Sequence, residues 1–135
     1  MFYQFFDTLF PVGIIFFGSG LGITYDKVGQ RETDPSKRVC ILTRSAFAGE
    51  QKNASIIWSG DISGEWGVLR ASIPAGLGFA LSGMPYWTTD IGGFWVKYTG
   101  GNKNNAYREL FTRWYQFGAF CPVFRVHGSS TPREI

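Results

Sequence analysis

The chain of 135 residues contains one histidine and two cysteines. Neither the Cys-x-x-Cys nor the His-x-x-x-His spacing occurs, so the side-chain patterns that usually hold zinc are missing. Cys40 and Cys121 each lie inside an apolar run, which is typical of buried free thiols. We therefore expect no metal site and no cofactor.

Clusters of basic residues are also missing. The net charge is only +3, and no run of Lys or Arg is longer than two residues. This excludes the positively charged surface that is typical of nucleic-acid-binding proteins. The first basic residue is Lys27, so the amino-terminal stretch does not have the basic region of a secretory signal peptide, and the compartment stays unknown.

Residues 1–24 are strongly apolar, but Asp7 and Pro11 interrupt the run. A membrane-spanning helix needs about 20 apolar residues without such breaks, which argues against a membrane partner. Residues 9–23, which are apolar or glycine apart from one serine, still leave a span or a signal peptide open. We interpret residues 1–24 as a divergent apolar segment buried in a larger globular protein, and residues 25–135 as the domain that follows it.

Aromatic residues are abundant, at 18% of the chain. Such enrichment suits a large core or a cleft in which rings stack on sugar faces, and core packing is the commoner cause. We assign Trp87, Trp95, Trp114 and Phe117 to the core.

Short apolar runs alternate with helical patterns between residues 25 and 135. Strands are predicted at residues 38–44, 55–58, 84–90 and 123–128, and helices before the Asp34-Pro35 turn, over 61–73 and over 106–120. Pro74 and Gly76 are expected to end the second of these helices. This alternation indicates an α/β fold in which βα units build a parallel sheet.

A polar residue follows each predicted strand: Arg44, Asp61, Asp90 and His127. The carboxyl ends of parallel strands share one rim, where α/β folds build their sites. Each has a structural alternative. Asp61 could cap the next helix, since Ser59, Asp61 and Ser63 are all suitable caps, Asp90 could be a turn residue, Arg44 could form a surface ion pair and His127 could be a structural histidine. Four such residues together favour a functional site.

Five blocks of the sequence, in the same order and at the same spacing, resemble glycoside hydrolase family 31, which includes α-glucosidases and α-xylosidases. They are residues 44–49, 58–61, 82–94, 113–122 and 125–128. The resemblance extends from about residue 25 to residue 135. It implies a (β/α)8 TIM barrel of which this chain carries the second half, about strands five to eight, because a complete barrel needs about 250 residues.

The resemblance also implies roles for individual residues. Asp61 would be the general acid/base, and the substrate-binding residues would be Arg44, Trp58, Asp90, Phe94 and His127. Trp58 would line the cleft, while Asp90 and Phe94 would belong to its wall. Arg44 and His127 would bind sugar hydroxyls. A retaining glycosidase uses two carboxyl groups about 5–5.5 Å apart, one that attacks the sugar and one that protonates the departing oxygen.

The block that carries the family's attacking aspartate does not occur in this sequence, and neither Asp7 nor Asp26 has its context. We therefore expect a fragment of a retaining α-glycosidase that acts on an oligosaccharide or α-glycoside and is inactive alone. The alternatives are a carbohydrate-binding remnant and a non-functional truncated product. The expected partner is the missing amino-terminal half of the barrel, or a second copy, because open parallel sheet edges pair readily.

Overall fold

Short parallel strands alternate with helices in the computed structural model, which describes residues 14–16, 20–129 and 131–133. The chain divides into two compact units, one ending at Ile57 and one beginning at Trp58. Within the described ranges, no helix combines the length and the apolar character needed to cross a membrane.

Among its described residues, the first unit contains three parallel strands and one α-helix. The strands are β1 (Ile14–Phe16), β2 (Ile41–Thr43) and β3 (Ile56–Trp58), whose last residue belongs to the second unit. Ile14 pairs with Ile41 in β2, and Leu42 of β2 pairs with Ile56 in β3. Helix α1 (Gly20–Thr33) connects β1 to β2, and a 3-10 helix (Glu50–Asn53) precedes β3. The predicted parallel pairing of the strands at 38–44 and 55–58 is confirmed.

The turn from α1 to β2 is held by side chains at both ends. The Gln30 side-chain amide donates to the Cys40 carbonyl (3.1 Å) and accepts from the Cys40 backbone N–H (3.0 Å). Asp34 accepts from the Ser36 backbone N–H (3.1 Å) and pairs with Lys37 (3.2 Å). The predicted Asp34-Pro35 turn is therefore where α1 gives way to β2.

In the part of the chain that the structure describes, the second unit contains two α-helices and one further strand. After β3 come α2 (Trp66–Leu81), β4 (Trp87–Thr88), a 3-10 helix (Gly101–Lys103) and α3 (Asn105–Gly118). The Ser59 backbone N–H donates to the Thr88 carbonyl (3.2 Å), which joins the end of β3 to β4. Asn104 caps α3, because its side-chain oxygen accepts from the N–H groups of Ala106 (2.9 Å) and Tyr107 (3.3 Å).

The core of the second unit lies between α2, α3 and the chain after β4. Its buried members are Leu69, Ile91, Tyr107, Leu110, Phe111 and Trp114. Of the aromatic residues assigned to the core, Trp87 and Trp114 are buried and Phe117 packs against the cluster. The assignment of Trp95 was wrong, since 48% of this residue is exposed.

The sequence predicted that helix α2 ends at Pro74 and Gly76. This prediction was wrong, because the helix continues to Leu81. A proline removes only one backbone donor, and Pro74 is exposed within a helix that is otherwise rich in apolar residues. The helix therefore continues past it. Ser82 then closes the helix, with its backbone N–H donating to the Gly78 and Phe79 carbonyls (3.0 and 3.1 Å).

Residues 123–128, all within the described part of the chain, do not form the predicted final strand. They still run beside β4, because the Thr88 hydroxyl donates to the Val123 carbonyl (2.7 Å) and the Ile91 N–H donates to the Arg125 carbonyl (3.3 Å). The first of these donors is a side chain, so the backbone ladder of a strand is not formed.

The predicted division between residues 24 and 25 falls inside α1. Of residues 1–24, the structure describes only the backbone of 14–16 and 20–24. The expectation that this segment is buried concerns its side chains, which lie outside the described part of the chain.

Candidate active site

Asp61 lies on an exposed turn between β3 and α2. Helix α2 begins at Trp66 with Glu65 in the capping position, so Asp61 is outside the helix. The helix-cap interpretation of Asp61 was therefore wrong. Asp61 thus lies on the turn that follows a parallel strand.

Ser59 joins the Asp61 turn to the chain that follows β4. Its hydroxyl lies 3.2 Å from the Thr89 hydroxyl and accepts from the Asp90 backbone N–H at 3.4 Å. Asp90 takes part in this contact, and Asp61 is two residues beyond Ser59. The ends of β3 and β4 therefore meet, as the parallel arrangement predicts.

Asp90 is completely buried, and its Oδ1 accepts a hydrogen bond from the Arg125 guanidinium. Its second oxygen, Oδ2, has no hydrogen-bond partner among the described residues. Burial raises the pKa of Asp90 to about 6, although the positive charge of Arg125 opposes this shift; the Asp61 carboxylate adds to it. The predicted wall residue Asp90 is thus placed behind the surface of the site.

His127 and Phe94 lie side by side, with ring centroids 5.5 Å apart. The pKa of His127 is lowered to about 4, chiefly by burial and also by the charges of Arg125 and Arg133, while the Asp61 carboxylate opposes this shift. The imidazole is therefore neutral at physiological pH, so one nitrogen can donate and the other can accept a hydrogen bond.

Arg133 fixes the backbone of the loop that carries Phe94. Its guanidinium donates to the carbonyls of Gly93 (2.6 Å) and Phe94 (3.1 Å). The Phe94 N–H donates in turn to the Ile62 carbonyl (2.7 Å), one residue after Asp61. The loop after β4 and the turn after β3 are therefore held together through backbone hydrogen bonds.

Trp58 is almost entirely buried, and the Arg125 guanidinium carbon lies 5.6 Å from the centroid of its ring. Arg44 is exposed, directly after β2 in the first unit. The second unit thus brings together five of the six predicted site residues, namely Asp61, Trp58, Asp90, Phe94 and His127.

Two residues that contact members of this group, Arg125 and Arg133, were not assigned a role from the sequence. Arg125 stands within the apolar run Val123-Phe124-Arg125-Val126. A charge in such a run is a signal of a buried ion pair, because an isolated buried charge is costly. No comparable signal marks Arg133.

Parallel strands that alternate with helices, with acidic and neutral polar side chains after the strands, are typical of α/β enzymes, the TIM-barrel glycoside hydrolases among them. Residues 21–135 match the glycosyl hydrolases family 31 TIM-barrel domain. The chain belongs to glycosyl hydrolases family 31.

The similar proteins include alpha-xylosidases from Saccharolobus solfataricus, Aspergillus niger and a soil metagenome. An alpha-xylosidase of Saccharolobus solfataricus is 57% identical over 106 residues, which are 78% of this chain and 14% of that protein. Alpha-xylosidase A of Aspergillus niger is 42% identical over 94 residues, 67% of this chain and 13% of that protein. The crystal structure of a family 31 alpha-xylosidase from a soil metagenome, complexed with xylose, superposes with a TM-score of 0.71 at 40% identity, covering 83% of this chain and 17% of that one.

Proposed function

We propose that the chain supplies the acid/base half of the catalytic barrel of a retaining α-glycosidase, with α-xylosides as the preferred substrates and α-glucosides as the alternative. The observation that supports this proposal most directly is the position of Asp61, exposed after β3 and outside the helix that follows. The 57% identity to the α-xylosidase of S. solfataricus supports the choice of α-xylosides over α-glucosides.

In this proposal, β2, β3, β4 and residues 123–128 correspond to strands five to eight of the barrel. Asp61 protonates the departing glycosidic oxygen and then, as a carboxylate, removes a proton from the attacking water. His127 and Arg44 bind sugar hydroxyls, and Phe94 and Trp58 form apolar walls. Asp90 stands in the wall behind them. We assign the attacking carboxylate to no residue of this chain.

The 135-residue chain alone is expected to show no turnover of an aryl α-xyloside, because double displacement needs two carboxyl groups. The measurement is release of the aryl alcohol, with the S. solfataricus enzyme as positive control. Turnover by this chain that disappears in Asp61→Asn would overturn the proposal that the attacking group lies elsewhere.

The role of Asp61 is tested in a chimera in which the matched 106 residues replace their counterpart in the S. solfataricus α-xylosidase. In Asp61→Asn, kcat on an aryl xyloside with a poor leaving group is expected to fall by about 10²–10⁴-fold. The loss on α-xylosyl fluoride is smaller, since fluoride leaves without a proton.

Glu109→Gln is the matched control, because Glu109 is an exposed carboxylate on α3 that pairs with Arg113 at 2.8 Å. It is expected to retain the activity of the parent chimera. Equal losses on both substrates in Asp61→Asn would contradict a role in proton transfer.

A further inference from the structure

Arg125 is a buried arginine whose surroundings leave it little access to solvent. It is 7% exposed, and its neighbours in the sequence are the apolar Phe124 and Val126. A buried guanidinium is stable only when a partner offsets the loss of its hydration. That partner is Asp90, which is 0% exposed and accepts from the Arg125 Nη1.

The same guanidinium also faces the Trp58 indole, 5.6 Å from the ring centroid. This distance is within the range of a cation–π interaction, which is strengthened when both groups are buried. Trp58 is 5% exposed and lies three residues before Asp61, on the strand that leads into the Asp61 turn. Arg125 is therefore the link between the buried carboxylate after β4 and the aromatic residue before the proposed acid/base.

We propose that Arg125 is a positioning residue, which is anchored by Asp90 and holds the Trp58 indole in place beside the Asp61 turn without contacting the substrate itself. The proposal rests on the proposed glycosidase function, since the reaction that it supports is the proton transfer at Asp61. It assigns to Asp90 the role of anchor for Arg125.

Two further observations support this assignment. Asp90 is held by its own backbone against the same turn, because its N–H donates to the Ser59 hydroxyl at 3.4 Å. The Arg125 carbonyl accepts from the Ile91 N–H at 3.3 Å, so backbone and side chain of Arg125 both bind the segment after β4.

The test uses the chimera with the S. solfataricus α-xylosidase and the variants Arg125→Lys and Arg125→Met. Lysine keeps the charge but not the planar guanidinium that stacks on an indole and pairs with a carboxylate. Both variants are expected to lower kcat by roughly tenfold to a hundredfold, with KM changed less than about threefold, because a small displacement of catalytic groups costs rate rather than binding.

The link to Trp58 is tested by a double-mutant cycle with Trp58→Phe. If Arg125 acts through Trp58, the kcat of the variant with both substitutions is no lower than the kcat of the less active single variant. If the losses multiply, the two residues act independently and the proposal is wrong. A raised KM with unchanged kcat would show instead that Arg125 contacts the substrate.

Arg113→Lys is the control, since Arg113 is an arginine paired with Glu109 at the surface of α3, and its kcat should equal that of the parent. Arg125→Lys and Trp58→Phe keep a charge and a ring at the two positions, so they decide the outcome if Arg125→Met does not fold. Full kcat in Arg125→Lys overturns the proposal. If Asp61→Asn also keeps its activity, the proposed function itself fails, and the two failures are thereby distinguished.

Discussion

At the scale of single residues, the site depends on positions where only a hydrogen atom fits. Gly93 has φ +79°, and a Cβ built on it would lie 2.2 Å from the Gly64 backbone nitrogen. This contact joins the loop that carries Phe94 to the segment that follows Asp61. A backbone neighbour cannot rotate aside as the end of a side chain can, so the close approach specifies glycine.

Gly93→Ala is therefore expected to destabilise the protein strongly, by more than about 2 kcal/mol, because left-handed strain and a backbone overlap add. Gly100→Ala is the matched control: its φ is +86°, and nothing lies within 4 Å of its Cβ. It should cost about 1 kcal/mol. Urea unfolding followed by circular dichroism measures both variants, and equal losses would show that the overlap is relieved.

His127 offers a direct measurement of the electrostatics of the site, because it is the sole histidine of the sequence. Its NMR titration in the folded chain is expected to give a pKa of about 4, since burial and the charges of Arg125 and Arg133 disfavour the imidazolium. The same chain in urea should titrate near the ordinary value of 6.5. A folded-state pKa above 6 would place the imidazole in water and contradict the described packing.

At the scale of elements, α3 is the helix that the sequence defines best and that the structure caps most completely. Its apolar positions Leu110 and Trp114 are fully buried, as their spacing predicts. At its start, Asn104 accepts from two backbone donors and also donates to the Thr99 carbonyl at 2.9 Å. The capping side chain thus fixes both the first turn of the helix and the loop before it.

Asn104→Ala is expected to lower the free energy of unfolding by about 1 kcal/mol, because two N–H groups of the first turn lose their acceptor. Asn104→Asp keeps the acceptor oxygen and should lose much less. Chemical denaturation compares the two variants with the parent. A loss in aspartate equal to that in alanine would mean that the bond to Thr99, and not the helix cap, is the stabilising contact.

At the scale of the whole molecule, the buried carboxyl group of Asp90 and the half-buried imidazole of His127 have opposite effects on stability between pH 4 and 6.5. The pKa of Asp90 is raised in the fold from 3.8 to about 6, so its contribution is present below pH 3.8 and is lost as the pH rises through about 6. The pKa of His127 is lowered from 6.5 to about 4, so its contribution is present above pH 6.5 and is lost as the pH falls through about 4.

His127→Gln removes one of these two effects. Relative to the parent, the variant should gain about 1–2 kcal/mol of stability as the pH falls from 7 to 4, since the parent alone loses stability by protonating a half-buried imidazole. Denaturant unfolding at both pH values measures the difference. A difference between parent and variant that does not change with pH would exclude the histidine from this linkage.

Local patterns predicted the strands around Ile41 and Ile57, helix α3 and the location of Asp61 after a strand. They failed where the outcome depends on distant partners. Arg125 and Asp90 are 35 positions apart, and no local pattern shows that they pair. Helix α2 passes Pro74 because a helix is stabilised by all of its residues and packing together, whereas the rule for proline considers one position.

The two hydrogen bonds between Gln30 and Cys40 have a consequence for proteolysis. The residues that they enclose include the exposed Arg31, Lys37 and Arg38, which are sites for trypsin. A cut after Lys37 would leave Gln30 and β1 on one piece and Cys40 and β2 on the other, still joined by the two hydrogen bonds between Gln30 and Cys40 and by the parallel pairing. The nicked protein would migrate as two bands in denaturing gels and as one particle under native conditions.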